Sequence, residues 1–140
     1  MSSFTYKIIK SSWGIHISIE AVWQNLSEYD EVSTKVSDKL FFANESYLTK
    51  EQAYFLSLGL RLDAPEFDES FKDKEPVVIV VKSVLYNLCD YQDEGMACAI
   101  MGWISQEFDI TAPLVNVTFN RTENRYEFQF PKIGFLTSIQ

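Results

Sequence analysis

The most regular hydrophobic pattern of the chain lies near its start. From Trp13 to Trp23 the odd positions carry apolar side chains, whereas most even positions are polar. A period of two is typical of a strand with one buried and one solvent-facing side. A weaker alternation from Phe4 to Lys10 predicts a strand before it, and a third extended segment is predicted within Val32 to Ala43.

An unbroken β-branched run, Val77 to Val81, predicts a further strand. The run is short and follows Pro76, which favours a strand over a buried helix. A strand without polar positions is typical of the middle of a sheet that is covered on both faces. We therefore expect this strand to be central.

A first amphipathic helix is predicted after Thr49. Gln52 stands three residues further on, which is the spacing of a capping box. Apolar residues then recur at helical spacing to about Leu62, and Asp63 and Pro65 are expected to end the helix. The acidic segment that follows is predicted to be a loop that leads back to the central strand.

A second helix is predicted to begin near Asp90, a residue type that commonly caps helices. An apolar stripe runs from Ala97 to Phe108 at helical spacing. Gly95 and Gly102 lie within the predicted helix, and because interior glycine is costly in a helix, they predict a close approach to another element.

Two alternating segments after Pro113, at 115–119 and 126–130, predict a closing hairpin. The predicted order is strand, strand, strand, helix, strand, helix and hairpin. This order indicates a single α+β domain over residues 1–140, a two-layer sandwich with two helices packed on one mainly antiparallel sheet.

The aromatic residues fall mostly on the apolar sides of these strands. Trp13, Trp23 and the hairpin aromatics have no basic stripe beside them, so a packed core is favoured over a nucleobase-stacking surface. Trp103 lies off the main helical stripe. It either packs between the layers or contacts a partner.

Composition and charge narrow the classes of function. The chain has 46% hydrophobic residues, 12 basic and 20 acidic residues, and a net charge of −8. A field of this sign repels nucleic acid and anionic membranes and attracts basic proteins. The first residues show no apolar signal segment, so a cytoplasmic location is expected.

No residue set predicts a reaction, a metal site or a cofactor. His16, the single histidine, falls on the polar side of a strand, away from any orienting acid in the sequence. Cys89 and Cys98 are too far apart along a helix for a disulfide, and both are interpreted as unreactive thiols. The chain is not expected to be an enzyme.

The segment from Thr49 to Asp109 resembles the fourth domain of translation elongation factor G. The resemblance rests on the letters LGLRL, a Pro-Val-Val strand that ends in Leu85-Tyr86, and a helix start through Glu94-Gly95-Met96-Ala97. It implies three strands followed by helix, strand and helix. The loop before the second helix is shorter here and basic tips are lacking, so no functional residue is carried over.

Acidic residues beside aromatic ones suggest a surface for a basic partner. The predicted partner-binding residues fall into three short segments: Tyr29, Asp30 and Glu31; Phe67, Asp68 and Glu69; and Tyr91, Asp93 and Glu94. We interpret the chain as a small acidic protein-binding module, in concrete form an immunity protein that neutralises a basic toxin. The alternatives are a small-molecule binding protein or enzyme that uses Asp90 to Glu94, and a ribosome-associated factor.

Overall fold

The computed structural model describes residues 1–132, which form a five-stranded sheet, two helices and a hairpin. The bounds are β1 (Ser2–Ile9), β2 (Gly14–Asn25), β3 (Thr34–Lys35), β4 (Leu40–Asn44), α1 (Lys50–Ser70), β5 (Val77–Tyr86), α2 (Gly95–Phe108), β6 (Asn116–Asn120) and β7 (Arg125–Gln129). The predicted α+β class and element order are confirmed. The segment expected to hold one third strand holds two, β3 and β4.

The large sheet has the strand order β1-β2-β5-β4-β3, so β5 is central as predicted. Neighbouring strands in this sheet pair antiparallel, except that β4 and β5 are parallel and are connected through α1. Residues 77–81 are completely or almost completely buried. Their β-branched side chains alternate between the two faces of the sheet, which is why the run shows no polar position.

The main core lies between the sheet and the two helices. It contains the inward-facing residues of β2 and β5 and the apolar sides of α1 and α2. A second, smaller cluster contains Ala43, Val78 and Val80, with Leu26 and Tyr29 packed against it. We call the face of the sheet that carries this smaller cluster the outer face.

The glycines of α2 explain how closely this helix lies on the sheet. A Cβ atom at Gly95 would lie 2.8 Å from the side chain of Ile17, and one at Gly102 would overlap the ring of Phe4. A side chain at either position would displace Ile17 or Phe4. The predicted close approach is confirmed.

Helix α1 is longer than predicted. The Thr49 and Gln52 capping box is present, but the helix continues through Pro65 to Ser70. The prediction that Asp63 and Pro65 end the helix is wrong, because the following turns bury Phe67 fully and stack it on Phe71 at 4.4 Å between ring centroids. Burial of these two rings outweighs the backbone hydrogen bond that proline removes.

Helix α2 begins later than predicted. Asp90 ends a short 3-10 turn, Tyr91 is extended, and the helix starts at Gly95. Asp90 is therefore not the N-cap. The side chain of Gln92 bonds to the backbone of Tyr126 on β7, and this contact holds the segment before the helix against the hairpin.

The three tryptophans have different environments. Trp103 is fully buried and donates from Nε1 to the carbonyl of Ser2 at 3.1 Å. Of the two environments expected for it, it therefore has the one between the layers. Trp13 is half-buried against the hairpin. Trp23 was predicted to be in the core, yet it is 39% exposed, because it lies level with Phe108, the last residue of α2. No helix within residues 1–132 combines the length and apolar character needed to cross a membrane.

Candidate functional site

The first predicted segment lies on the outer face, where a short 3-10 turn follows β2. The turn is held by a bond from the Leu26 N–H to the carbonyl of Pro76 at 2.8 Å and by a bond from the Ser27 N–H to the carboxylate of Glu75 at 3.2 Å. Leu26 and Tyr29 pack on the small outer cluster. Tyr29 is therefore held in a fixed place on the sheet, although its neighbours in sequence are exposed.

Carboxylates surround this tyrosine. Partial burial, followed by the carboxylates of Glu45 and Glu31 and also that of Asp30, raises the pKa of the Tyr29 hydroxyl, whereas the ammonium of Lys82 lowers it. Lys82 forms an ion pair with Glu45 at 2.9 Å. The residues thus form one acidic patch around an aromatic ring.

Val32 extends this patch with an apolar side chain that is 90% exposed. We call the set Tyr29, Asp30, Glu31, Val32 and Glu45 the Tyr29 surface. Glu45 was missed by the sequence interpretation, because only the fold brings its carboxylate near the Tyr29 hydroxyl. Its place directly after a predicted strand was the one available signal.

The second predicted segment lies in the last turn of α1, where its aromatic ring is buried. Phe67 is 0% exposed, so the prediction that it contacts a partner is wrong. Asp68 accepts hydrogen bonds from the Ser37 hydroxyl at 2.8 Å and the Lys39 N–H at 3.0 Å, and so holds the turn between β3 and β4. Glu69 is exposed and pairs with Lys72 at 3.2 Å.

The third predicted segment contacts the rest of the protein. The Tyr91 hydroxyl donates to Asp93 at 2.7 Å, and Arg125 on β7 donates to Glu94 at 2.7 Å. Within residues 1–132 no group of three His, Cys, Asp or Glu side chains is placed to hold a metal ion. Glu94 at the start of α2 therefore holds the hairpin through Arg125.

A buried carboxylate lies elsewhere, on α1. Asp63 is 0% exposed, and neither carboxylate oxygen has a hydrogen-bond partner within the described residues 1–132. Burial raises the pKa of this carboxyl group to about 7. The group has no contact with solvent, so its protonation affects folding rather than a substrate.

Comparisons of the chain with protein-family models, with curated proteins and with solved structures gave no match. The resemblance to the fourth domain of elongation factor G remains a prediction from the sequence.

The two cysteines are expected to differ strongly in reactivity. Burial raises the pKa of the Cys98 thiol to about 11, despite a hydrogen bond with Tyr6, whereas Cys89 is exposed. Because the thiolate is the reactive form, a disulfide reagent at pH 8 should modify Cys89 at least about ten times faster than Cys98 in the folded protein. Thiol titration of Cys89→Ser and Cys98→Ser measures the two rates separately. Equal rates in the folded state would contradict the burial of Cys98.

Proposed function

We propose that this protein is a small acidic binding module that captures a basic protein through the Tyr29 surface, as an immunity protein does when it neutralises a basic toxin. The observation that carries the proposal is the ring of Tyr29 held beside three carboxylates, on the sheet face opposite both helices. The net charge of −8 has the sign that attracts such a partner.

The composition of the Tyr29 surface suits a protein interface. Tyrosine is enriched at binding hot spots because it buries a large ring and still offers a hydroxyl. The carboxylates around it complement arginine and lysine, which steers association and selects the partner. Asp30 and Glu31 form no ion pair inside residues 1–132, so they are free to pair with an incoming cation.

The proposal is tested by comparing two variants of equal net charge. Tyr29→Ala with Asp30→Asn and Glu31→Gln alters the Tyr29 surface. Asp73→Asn with Glu123→Gln removes the same charge from exposed positions elsewhere.

The product of the neighbouring gene is the first partner to test, by calorimetry with the purified proteins. We expect the Tyr29-surface variant to weaken the Kd by about 100-fold, the size of a hot-spot loss, and the control variant by less than about threefold. Affinity should also fall with added salt, since the contacts are charged. Equal binding by both variants would overturn the Tyr29 surface as the contact, and the absence of any basic protein partner would overturn the function.

A further inference from the structure

An aromatic groove lies where β2 and both helices end. Its volume is about 440 Å³, and it is lined by Trp23, Asn25, Ser70, Phe71, Lys74, Glu75 and Phe108. We call it the Trp23 groove. Three of its seven lining residues are aromatic, and the ring of Trp23 is 39% exposed.

The rings of the groove are held by each other. The centroid of Phe108 lies 5.2 Å from that of Trp23 and 5.6 Å from that of Phe71. Phe71 is in turn stacked on the buried ring of Phe67 at 4.4 Å. The groove is therefore preformed, which lowers the entropic cost of binding a ligand there.

The electrostatics of the groove favour a cation. Both helices end at it, α1 at Ser70 and α2 at Phe108, and the carbonyl ends of helices carry partial negative charge. Glu75 lines the groove, and the Glu107 carboxylate accepts a hydrogen bond from Trp23 Nε1 at 3.3 Å. Aromatic faces add a further attraction for positive charge.

The protein already places a cation of its own here. The Nζ atom of Lys74 lies 4.9 Å from the centroid of the Phe71 ring. Lys74 is exposed and continues the groove wall, so its side chain can leave the ring without unfolding the chain. It stands where an incoming cationic side chain would compete.

The groove is connected to the Tyr29 surface through one short segment. Asn25 lines the groove, Ser27 donates to Glu75 in its wall, and Tyr29 follows two residues later. The groove lies where both helices end and the Tyr29 surface lies on the outer face, so a partner that extends around this end of the sheet would contact both.

We propose that the Trp23 groove binds an arginine side chain of the basic partner, whose guanidinium stacks on the ring of Trp23 and competes with the ammonium of Lys74, which lies over Phe71 in the same groove. This inference rests on the proposed function and adds the residue type that the partner inserts. Arginine is favoured over lysine because its planar, weakly hydrated guanidinium stacks on an indole and also donates to carboxylates.

The test uses N-acetyl-arginine amide as the probe and follows the indole N–H signals of the three tryptophans by NMR. We expect the Trp23 signal to shift and saturate at millimolar probe, while the signals of Trp13 and Trp103 stay in place. N-acetyl-citrulline amide, which has the same shape without the charge, should give at most a weak shift. The Trp23→Phe variant lacks one of the three indole N–H signals and so identifies the signal of Trp23.

Two lysine variants decide the role of the internal cation. Lys74→Met should tighten probe binding about threefold, since it removes the competing ammonium. Lys72→Met removes the same charge from an exposed residue that pairs with Glu69, and should leave the affinity unchanged within error.

Each result separates this inference from the proposed function. A shift that does not saturate, equal binding of the citrulline probe, or weaker binding by Lys74→Met overturns the arginine site, whether or not a partner is found. Saturable, charge-dependent binding at Trp23 supports the arginine site even if no protein binds the Tyr29 surface. If arginine binds at Trp23 but no protein binds the Tyr29 surface, only the assignment of a protein partner fails.

Discussion

Replacing Asp63 with asparagine is expected to raise the free energy of unfolding by about 2–4 kcal/mol above pH 7, with little effect near pH 4. Asp63 lies on α1, is fully buried and has no hydrogen-bond partner within residues 1–132. An ionised carboxylate in such a place lacks both water and a counter-charge. Asparagine keeps the shape of the side chain and removes the charge.

The direction of the pH effect follows from the raised pKa. Burial moves the pKa of Asp63 from 3.8 to about 7, so the folded state holds a proton that the unfolded state releases. The contribution of Asp63 to stability is therefore highest below pH 4, falls as the pH rises from about 4 to 7, and levels off above 7. Asp63→Asn should remove this fall.

Urea unfolding between pH 4 and 9 measures the effect. Asp73→Asn is the matched control, because Asp73 is exposed and the same charge is removed. The control should keep the wild-type pH dependence. If Asp63→Asn and wild type show parallel curves over the whole range, Asp63 is not a buried carboxyl group with a raised pKa.

Gly59→Ala is expected to lower the free energy of unfolding by about 2–3 kcal/mol, although alanine is the better helix former. A Cβ atom at Gly59 would lie 2.6 Å from the carbonyl oxygen of Ala97 and 2.9 Å from its Cα. These are backbone atoms of α2, which cannot rotate away as a side chain does. The two helices would have to move apart.

The measurement is urea unfolding of Gly59→Ala beside Ser57→Ala. Ser57 lies on the same helix and is half-buried, so its replacement shows the effect of helix propensity with little steric change. We expect Ser57→Ala to change stability by less than about 0.5 kcal/mol. Equal or higher stability of Gly59→Ala would show that α1 and α2 do not touch at this point.

Much of the fold was predictable because the signals are local. The alternation of β2 and the β-branched run of β5 each reflect which side of a strand is covered, and both strands are where the pattern predicts them. The end of α1 was mispredicted at Pro65, because the packing that stabilises the longer helix involves a residue that is distant in sequence. Phe67 and Phe71 pack on Phe108, and this contact cannot be predicted from the local effect of proline on a helix.

The candidate site was predictable in part for the same reason. Tyr29, Asp30 and Glu31 are adjacent in the sequence, so their grouping needs no fold. Glu45 joins them only through the fold, which brings its carboxylate near the Tyr29 hydroxyl. Phe67 was predicted to be exposed from its acidic neighbours, but a helix places adjacent residues on different sides, and the side with Phe67 faces the core.

The sequence alone determined the types and order of the elements and the sign of the net charge, because periodicity and composition depend only on neighbouring residues and on counts. The tertiary structure alone decided which aromatic rings are accessible, Trp23 rather than Phe67, and that Asp63 is enclosed without a partner. A periodic pattern states which side of a strand or helix is apolar. Whether another element covers that side at a given residue depends on where distant segments end, as α2 does beside Trp23.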